Sequence, residues 1–274
     1  PDEIFDAVLM TVKYIVRESG IAKEDIKFIS LSAQMHSLIV MNENNQRLTE
    51  NITWADNRAN DYADLIEKSY GGFELYQRTG TPIHPMSPLS KIFWMRHEEP
   101  KIFKQTAMFA DLKTYVLFQL YERFVIDYSL GSATGMMNLE QLDWDNKALE
   151  LLGIERNQLP QLVPTTHVLT GMKKRYATLM GIDEQTPVIV GASDGVLSNL
   201  GVNSYQKGEV AVTIGTSGAI RTVINQPKTD EKGRTFCYIL DKDQYVIGGP
   251  VNNGGVVLRL SLIHISEPTR LLSI

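Results

Sequence analysis

Cysteine is nearly absent from this 274-residue chain: Cys237 stands alone, so no internal disulfide can form and no thiolate zinc site can be assembled. No uninterrupted apolar stretch reaches the length of a membrane span, and no charged-then-apolar leader opens the sequence. Basic runs are missing too. The 27 Lys and Arg are outnumbered by 32 Asp and Glu, for a formal charge of −5, with no cluster able to track a phosphate backbone. These absences exclude a secreted disulfide scaffold and make a nucleic-acid or membrane partner an unfavoured expectation; a cytoplasmic protein is expected. The two common nucleotide signatures, GxxxxGK[ST] and GxGxxG, are also lacking, and none of the five histidines falls in HExxH or another ligand spacing.

What is present is a 43% hydrophobic composition, enough to bury one large core or two smaller ones. Phe5, Val8, Leu9, Val12, Ile15 and Val16 fall on one helical stripe, with Asp2 as the expected cap and Gly20 as the stop. IKFISLSA and SLIVMN read as strands, and NITWADNR as a third short strand ending at polar residues. From Arg58 to about Leu151 the pattern turns helical, including SPLSKIFWMRH and a segment DLKTYVLFQLY capped by Asp111. Strand patterns then return at close spacing: THVLT, PVIVGAS, GEVAVTIGTS, GAIRTVI, RTFCYIL and YVIGG. Strands, helices and strands again argue for an α/β protein with mixed sheets. A boundary is expected near NSYQKG, Asn203 to Gly208.

Three stretches could carry chemistry. In PVIVGASDGVLSNLG an apolar strand ends at Asp194, followed by spacing that suits a helix, so the carboxylate would meet the positive end of a helix dipole; an N-cap aspartate with a purely structural role is the plainer alternative. In VTIGTSGAIRTV, Gly215, Thr216, Ser217 and Gly218 lie between two β-rich runs. An ordinary hairpin turn explains them, and so does a phosphate cradle in which glycines admit an anion and N–H groups and hydroxyls donate to it. An acid close to such a cradle suits phosphoryl transfer. The third stretch pairs SAQMHS with WADNR, which bring Gln34, His36, Trp54, Asp56 and Arg58 to strand ends, a donor and acceptor mix with an aromatic wall that matches a polyol. His36 alone would more often be a structural histidine. Lys91 and Trp94 share a helical face, and core packing accounts for Trp94.

Taken in order, these segments resemble the FGGY carbohydrate kinase family. LSAQMHS is similar to the family's sugar-contacting segment and ITWADNR to the segment after its next strand. MSPLSKIFWMRHEEPKIF resembles the first signature helix, with FADLKTYVLFQL and DYSLGSATGMMNLEQLDWD continuing it. GASDG resembles the catalytic-aspartate segment, GTSG the second phosphate segment, and GGPVNNGGVVLR the stretch found in members that phosphorylate gluconate. The resemblance implies a two-domain, actin-like ATPase fold of ribonuclease H type, both domains incomplete: residues 1–203 a sugar-binding N-terminal domain lacking its first strands, 204–260 the start of a nucleotide-binding domain, and 261–274, SLIHISEPTRLLSI to the end, a non-native tail. It implies ATP-dependent phosphorylation of D-gluconate to 6-phosphogluconate with Mg²⁺, in a parent enzyme of which this chain is an inactive fragment. Asp194 would be the base; Gln34, His36, Trp54, Asp56 and Arg58 would hold the sugar acid, with Arg58 or Lys91 meeting its carboxylate; Gly215 to Gly218, Gly254 and Gly255 would hold ATP. No residue is assigned to a protein-held metal, and a homodimer is allowed. The rival expectations are a kinase for xylulose, glycerol or another polyol, and a non-catalytic sugar-binding module on the same fold.

Overall fold

The computed structural model describes residues 1–215, 218–251 and 255. Its central layer is a three-stranded sheet in which Ile29–Ala33 runs parallel to Val188–Ser193, and the latter pairs antiparallel with Val168–Leu169. The register slips between Ser30 and Ser32, where Gly191 takes φ 70° opposite Leu31. A Cβ at Gly191 would sit 1.8 Å from the Leu31 carbonyl oxygen, so the bulge admits glycine alone. Such a bulge re-aims the end of its strand, and this strand ends at Asp194.

The helix Asp2–Ser19 lays Phe5 and Leu9 on a core shared with Met180, Val188 and Val190, and it ends at Gly20 in a left-handed cap. Two expectations for it change. Asp2 sits inside the first turn rather than capping it; its carboxylate instead accepts hydrogen bonds from Arg47 and from the Tyr115 hydroxyl. Ile15 is exposed, because the inward stripe is narrower than its six apolar residues suggest.

Helices Asn60–Ser69, Gly72–Thr79, Pro88–Glu98 and Asn146–Leu152 surround a second core containing Ile66, Leu75, Ile92, Phe93 and Leu152. The Asp111 carboxylate does cap Leu112–Tyr121, accepting from the Thr114 N–H at 2.9 Å. The strand expected in NITWADNR is not formed. Only Ile52 makes a bridge, to Leu38, after which the Asp56 carboxylate accepts from the Arg58 N–H and closes a turn that side-chain chemistry favours over extension.

Beyond the helix Asp194–Gly201 lies a four-stranded antiparallel sheet, in spatial order Val210–Ile214, Gly218–Ile224, Gln244–Val251, Phe236–Asp241. The first two strands form the hairpin expected at GTSG, with Ile214 paired to Gly218. Phe236–Asp241 is buried along nearly all its length and is tied to the helical layer: the Cys237 N–H donates to the Gly80 carbonyl at 2.8 Å and the Ile239 N–H to Ser132 Oγ at 3.0 Å. The opposite edge leaves Val210, Val212 and Ile214 exposed.

Candidate active site

Ser193, not Asp194, caps the helix Asp194–Gly201: its Oγ accepts from the Val196 N–H. The capping role is therefore filled by a neighbour, and the plainer account of Asp194 loses its basis. Asp194 stands in the first turn with its side chain exposed, Oδ1 accepting, among the described residues, only from its own neighbour Gly195 N–H at 2.7 Å.

A cavity of about 410 Å³ opens in front of this carboxylate, within the range of small-molecule sites. One wall is Gln34, Met35 and His36, from the loop that leaves the strand Ile29–Ala33; Trp54 and Met86 flank it. The floor is Asp194, Gly195 and Ser198, and the far wall is the four-stranded sheet, through Thr213, Arg221, Phe236, Tyr238 and Pro250. Of the residues expected to hold a polyol, Gln34, His36 and Trp54 are thus brought together with Asp194. Trp54 is 56% exposed, an indole face turned to the cavity rather than to the core.

His36 is buried at φ 64°, a left-handed backbone uncommon for a residue other than glycine. Lys91 holds it there. Its Nζ, wholly enclosed, donates to the carbonyls of His36 at 2.6 Å, Thr53 at 2.8 Å and Ile52 at 3.3 Å, pinning the His36 loop and the Trp54 loop to one point. Burial pulls the Lys91 ammonium down to about 8. With its three donors taken by carbonyls, Lys91 has none left for a substrate carboxylate. The His36 ring faces Tyr238, whose hydroxyl lies 3.4 Å from Nε2. Burial, and then the Lys91 charge, hold this imidazole down to about 3, so it is neutral at pH 7.

Asp56 and Arg58 do not line the cavity. They pair with each other, Arg58 Nε and Nη2 donating to the two carboxylate oxygens at 2.9 and 2.7 Å, and the guanidinium stacks 5.0 Å from the Trp94 ring centroid. Trp94 packs against the helical core, as expected.

For the phosphate segment, Gly215, Gly218 and Gly255 are described, while Thr216, Ser217, Gly254 and the tail from 261 lie outside the described residues. The Gly255 N–H donates to the Gly215 carbonyl at 2.6 Å, and a Cβ on Gly255 would approach that oxygen to 2.9 Å. The two expected nucleotide segments therefore meet. Among the described residues no three His, Cys, Asp or Glu side chains cluster in a way that would hold a metal, and no helix is long and apolar enough to cross a membrane.

Arg221, Ser198, Phe236 and Tyr238 were not foreseen. Arg221 carried a readable signal: in GAIRTVI, alternation turns Ala219, Arg221 and Val223 inward, and a charge at an inward position of a strand asks for a reason. Tyr238 and Phe236, stacked 4.6 Å apart, had no signal beyond strand propensity.

Residues 1–201 match the model of the FGGY family of carbohydrate kinases, N-terminal domain. A gluconokinase of Bacillus subtilis (strain 168) is 55% identical over 259 residues, covering 94% of this chain and 50% of the relative. Among solved structures, a gluconate kinase from Lactobacillus acidophilus superposes with a TM-score of 0.92 at 40% identity, covering 95% of this chain and 52% of that one. A ligand-bound xylulose kinase from the same organism follows at 0.90 and 39%, covering 96% and 53%. The chain spans about half the length of the relatives it matches, and its α/β architecture is the actin-like ATPase fold of these sugar kinases. This chain belongs to the FGGY family of carbohydrate kinases.

Proposed function

We propose that this chain carries the sugar-binding half and the catalytic base of a kinase that transfers the terminal phosphoryl group of ATP to D-gluconate, giving 6-phosphogluconate. The observation that carries the reading is the exposed Asp194 carboxylate, set by a bulged strand at a helix start and facing a polyol-sized cavity. In the division of labour proposed, residues 1–203 bind the sugar and residues 204–260 begin the nucleotide-binding part. Gluconate rather than a ketose is favoured by the 55% identity to the Bacillus subtilis gluconokinase.

Within that reading, Gln34 supplies amide donors and an acceptor to the hydroxyls, neutral His36 offers a ring nitrogen, and Trp54 covers the apolar face of the carbon chain. Asp194 orients the terminal hydroxyl and takes its proton as the oxygen–phosphorus bond forms. A carboxylate is a weak base, and phosphoryl transfer asks mainly for positioning and charge stabilisation. Mg²⁺ supplies charge neutralisation when it arrives with ATP; a site with one cavity carboxylate fits an ion held mostly by phosphates and water. The close approach of the Gly215 and Gly255 main chains brings the two nucleotide segments of this reading together.

The test is ADP release on a protein carrying this chain at the full length of its relatives, with a panel of gluconate, xylulose and glycerol. Gluconate should turn over fastest, and Asp194→Asn should lower kcat by about 10²- to 10⁴-fold. Near-normal turnover by Asp194→Asn rejects the base. Binding of gluconate without any phosphate transfer in that protein identifies a sugar-binding module instead.

A further inference from the structure

Among the described residues, the cavity lining contains one full positive charge. His36 is neutral, Lys91 is sealed behind three carbonyls, Arg58 is spent on Asp56, and among the described residues only Arg221 reaches the cavity as a cation. Its place is specific: Arg221 pairs across the sheet with Gly248, where a Cβ would come within 3.1 Å of Arg221 Cγ and 2.2 Å of the Ile220 carbonyl, so the partner strand leaves space for the long side chain. From there the guanidinium crosses to the start of the helix, close to Gly195.

Of its five N–H donors, those used go to hydroxyls: Nη1 to Thr213 Oγ1 at 3.3 Å and, at the limit of a hydrogen bond, to Ser198 Oγ at 3.5 Å. Among the described residues no carboxylate comes within ion-pair distance of it, although the field of Asp194 is felt. A half-buried guanidinium with unspent planar donors, in a cavity otherwise lined by neutral groups and one acid, is built to receive an oxyanion.

We propose that Arg221 binds the carboxylate of an acidic sugar and thereby sets the preference of this pocket for an aldonate over neutral polyols and ketoses. The inference rests on the reading of the cavity as a kinase's sugar site. Asp194 and Arg221 then divide the substrate between them: the anionic end goes to the guanidinium, and the uncharged terminal hydroxyl goes to the acid, which would repel a carboxylate. Phosphoryl oxygens of the nucleotide share the same oxyanion chemistry, so binding must be read without nucleotide.

The experiment titrates a protein carrying this chain at the full length of its relatives with D-gluconate and with D-glucitol, which replaces the carboxylate by a hydroxymethyl group, in the absence of ATP. Calorimetry on the unaltered protein, Arg221→Gln and Arg221→Lys should show gluconate weakened about 10- to 100-fold by Gln, partly restored by Lys, and glucitol unaffected by either. Gluconate affinity unchanged in Arg221→Gln, with glucitol still weaker, overturns the inference and leaves the sugar site standing. A wild-type protein that binds glucitol as well as gluconate, or neither, removes the substrate reading and the inference together. Should the variants not fold, the arginine Nε–H resonances of the unaltered protein decide: one of them must move on adding gluconate and stay still on adding glucitol, and any other result overturns the proposal.

Discussion

Lys113 Nζ lies 2.6 Å from Asp127 Oδ2, with both side chains almost wholly enclosed, directly beneath the strand that ends at Asp194. The same ammonium donates to the carbonyls of Val190 and Ala192 on either side of the Gly191 bulge. The pair thus fixes the irregular part of the strand from below, while Ser129 Oγ accepts from the Ser193 N–H one residue further on. Truncating one member leaves the other charged and unpaired in a dry interior. Lys113→Met should lower unfolding free energy by about 3–5 kcal/mol, and adding Asp127→Leu should recover much of that loss. Urea denaturation of the two variants checks it: a double variant no more stable than the single one contradicts the account.

His36 gives the protein an acid sensitivity of definite sign. In the unfolded chain its imidazole protonates near the ordinary value of about 6.5, whereas burial and the Lys91 charge delay protonation of the folded form to about 3. The contribution to stability is full above pH 6.5 and is lost as pH falls towards 3, by about 1.4 kcal/mol for each unit in between. His36→Gln should flatten the fall of unfolding free energy between pH 6.5 and 4.5. A His36 ring resonance that titrates near pH 6 in the folded protein would remove the claim.

The sequence disclosed the parts of this molecule whose causes are local. An apolar strand feeding a helix at Asp194, the cap at Asp111, the stop at Gly20 and the hairpin around GTSG all follow from residues within a few positions of one another. Asp56 and Arg58 were legible as polar residues after Trp54, yet nothing local says that each spends its charge on the other. Lys91 was legible as a cation on a helical face, free to meet a substrate carboxylate; its burial depends on three carbonyls from segments 38 to 55 residues earlier. The far wall of the cavity, with Arg221, Phe236 and Tyr238, comes from strands that meet the Gln34–His36 loop only across the whole fold. Pairing across such distances is set by tertiary packing, which the period of one strand does not encode.

Lys91 should behave as a positioning residue whose loss is felt in the cavity before it is felt in the core. Its ammonium is a point donor meeting three carbonyls, a geometry that the planar fork of arginine does not reproduce. Lys91→Met removes all three bonds and leaves the carbonyls of His36, Ile52 and Thr53 without their donor, at a cost of about 1–3 kcal/mol for each group that water does not reach. The strained backbone at His36 then relaxes, and the Trp54 loop separates from it. Lys91→Arg should fare little better than Lys91→Met in binding gluconate, while a charge-only role predicts rescue by arginine. Because Trp54 is half exposed on the cavity rim, its fluorescence should shift in both variants well below their melting transitions. Unchanged emission together with unchanged gluconate affinity in Lys91→Arg would show that the two loops are held by something other than this lysine.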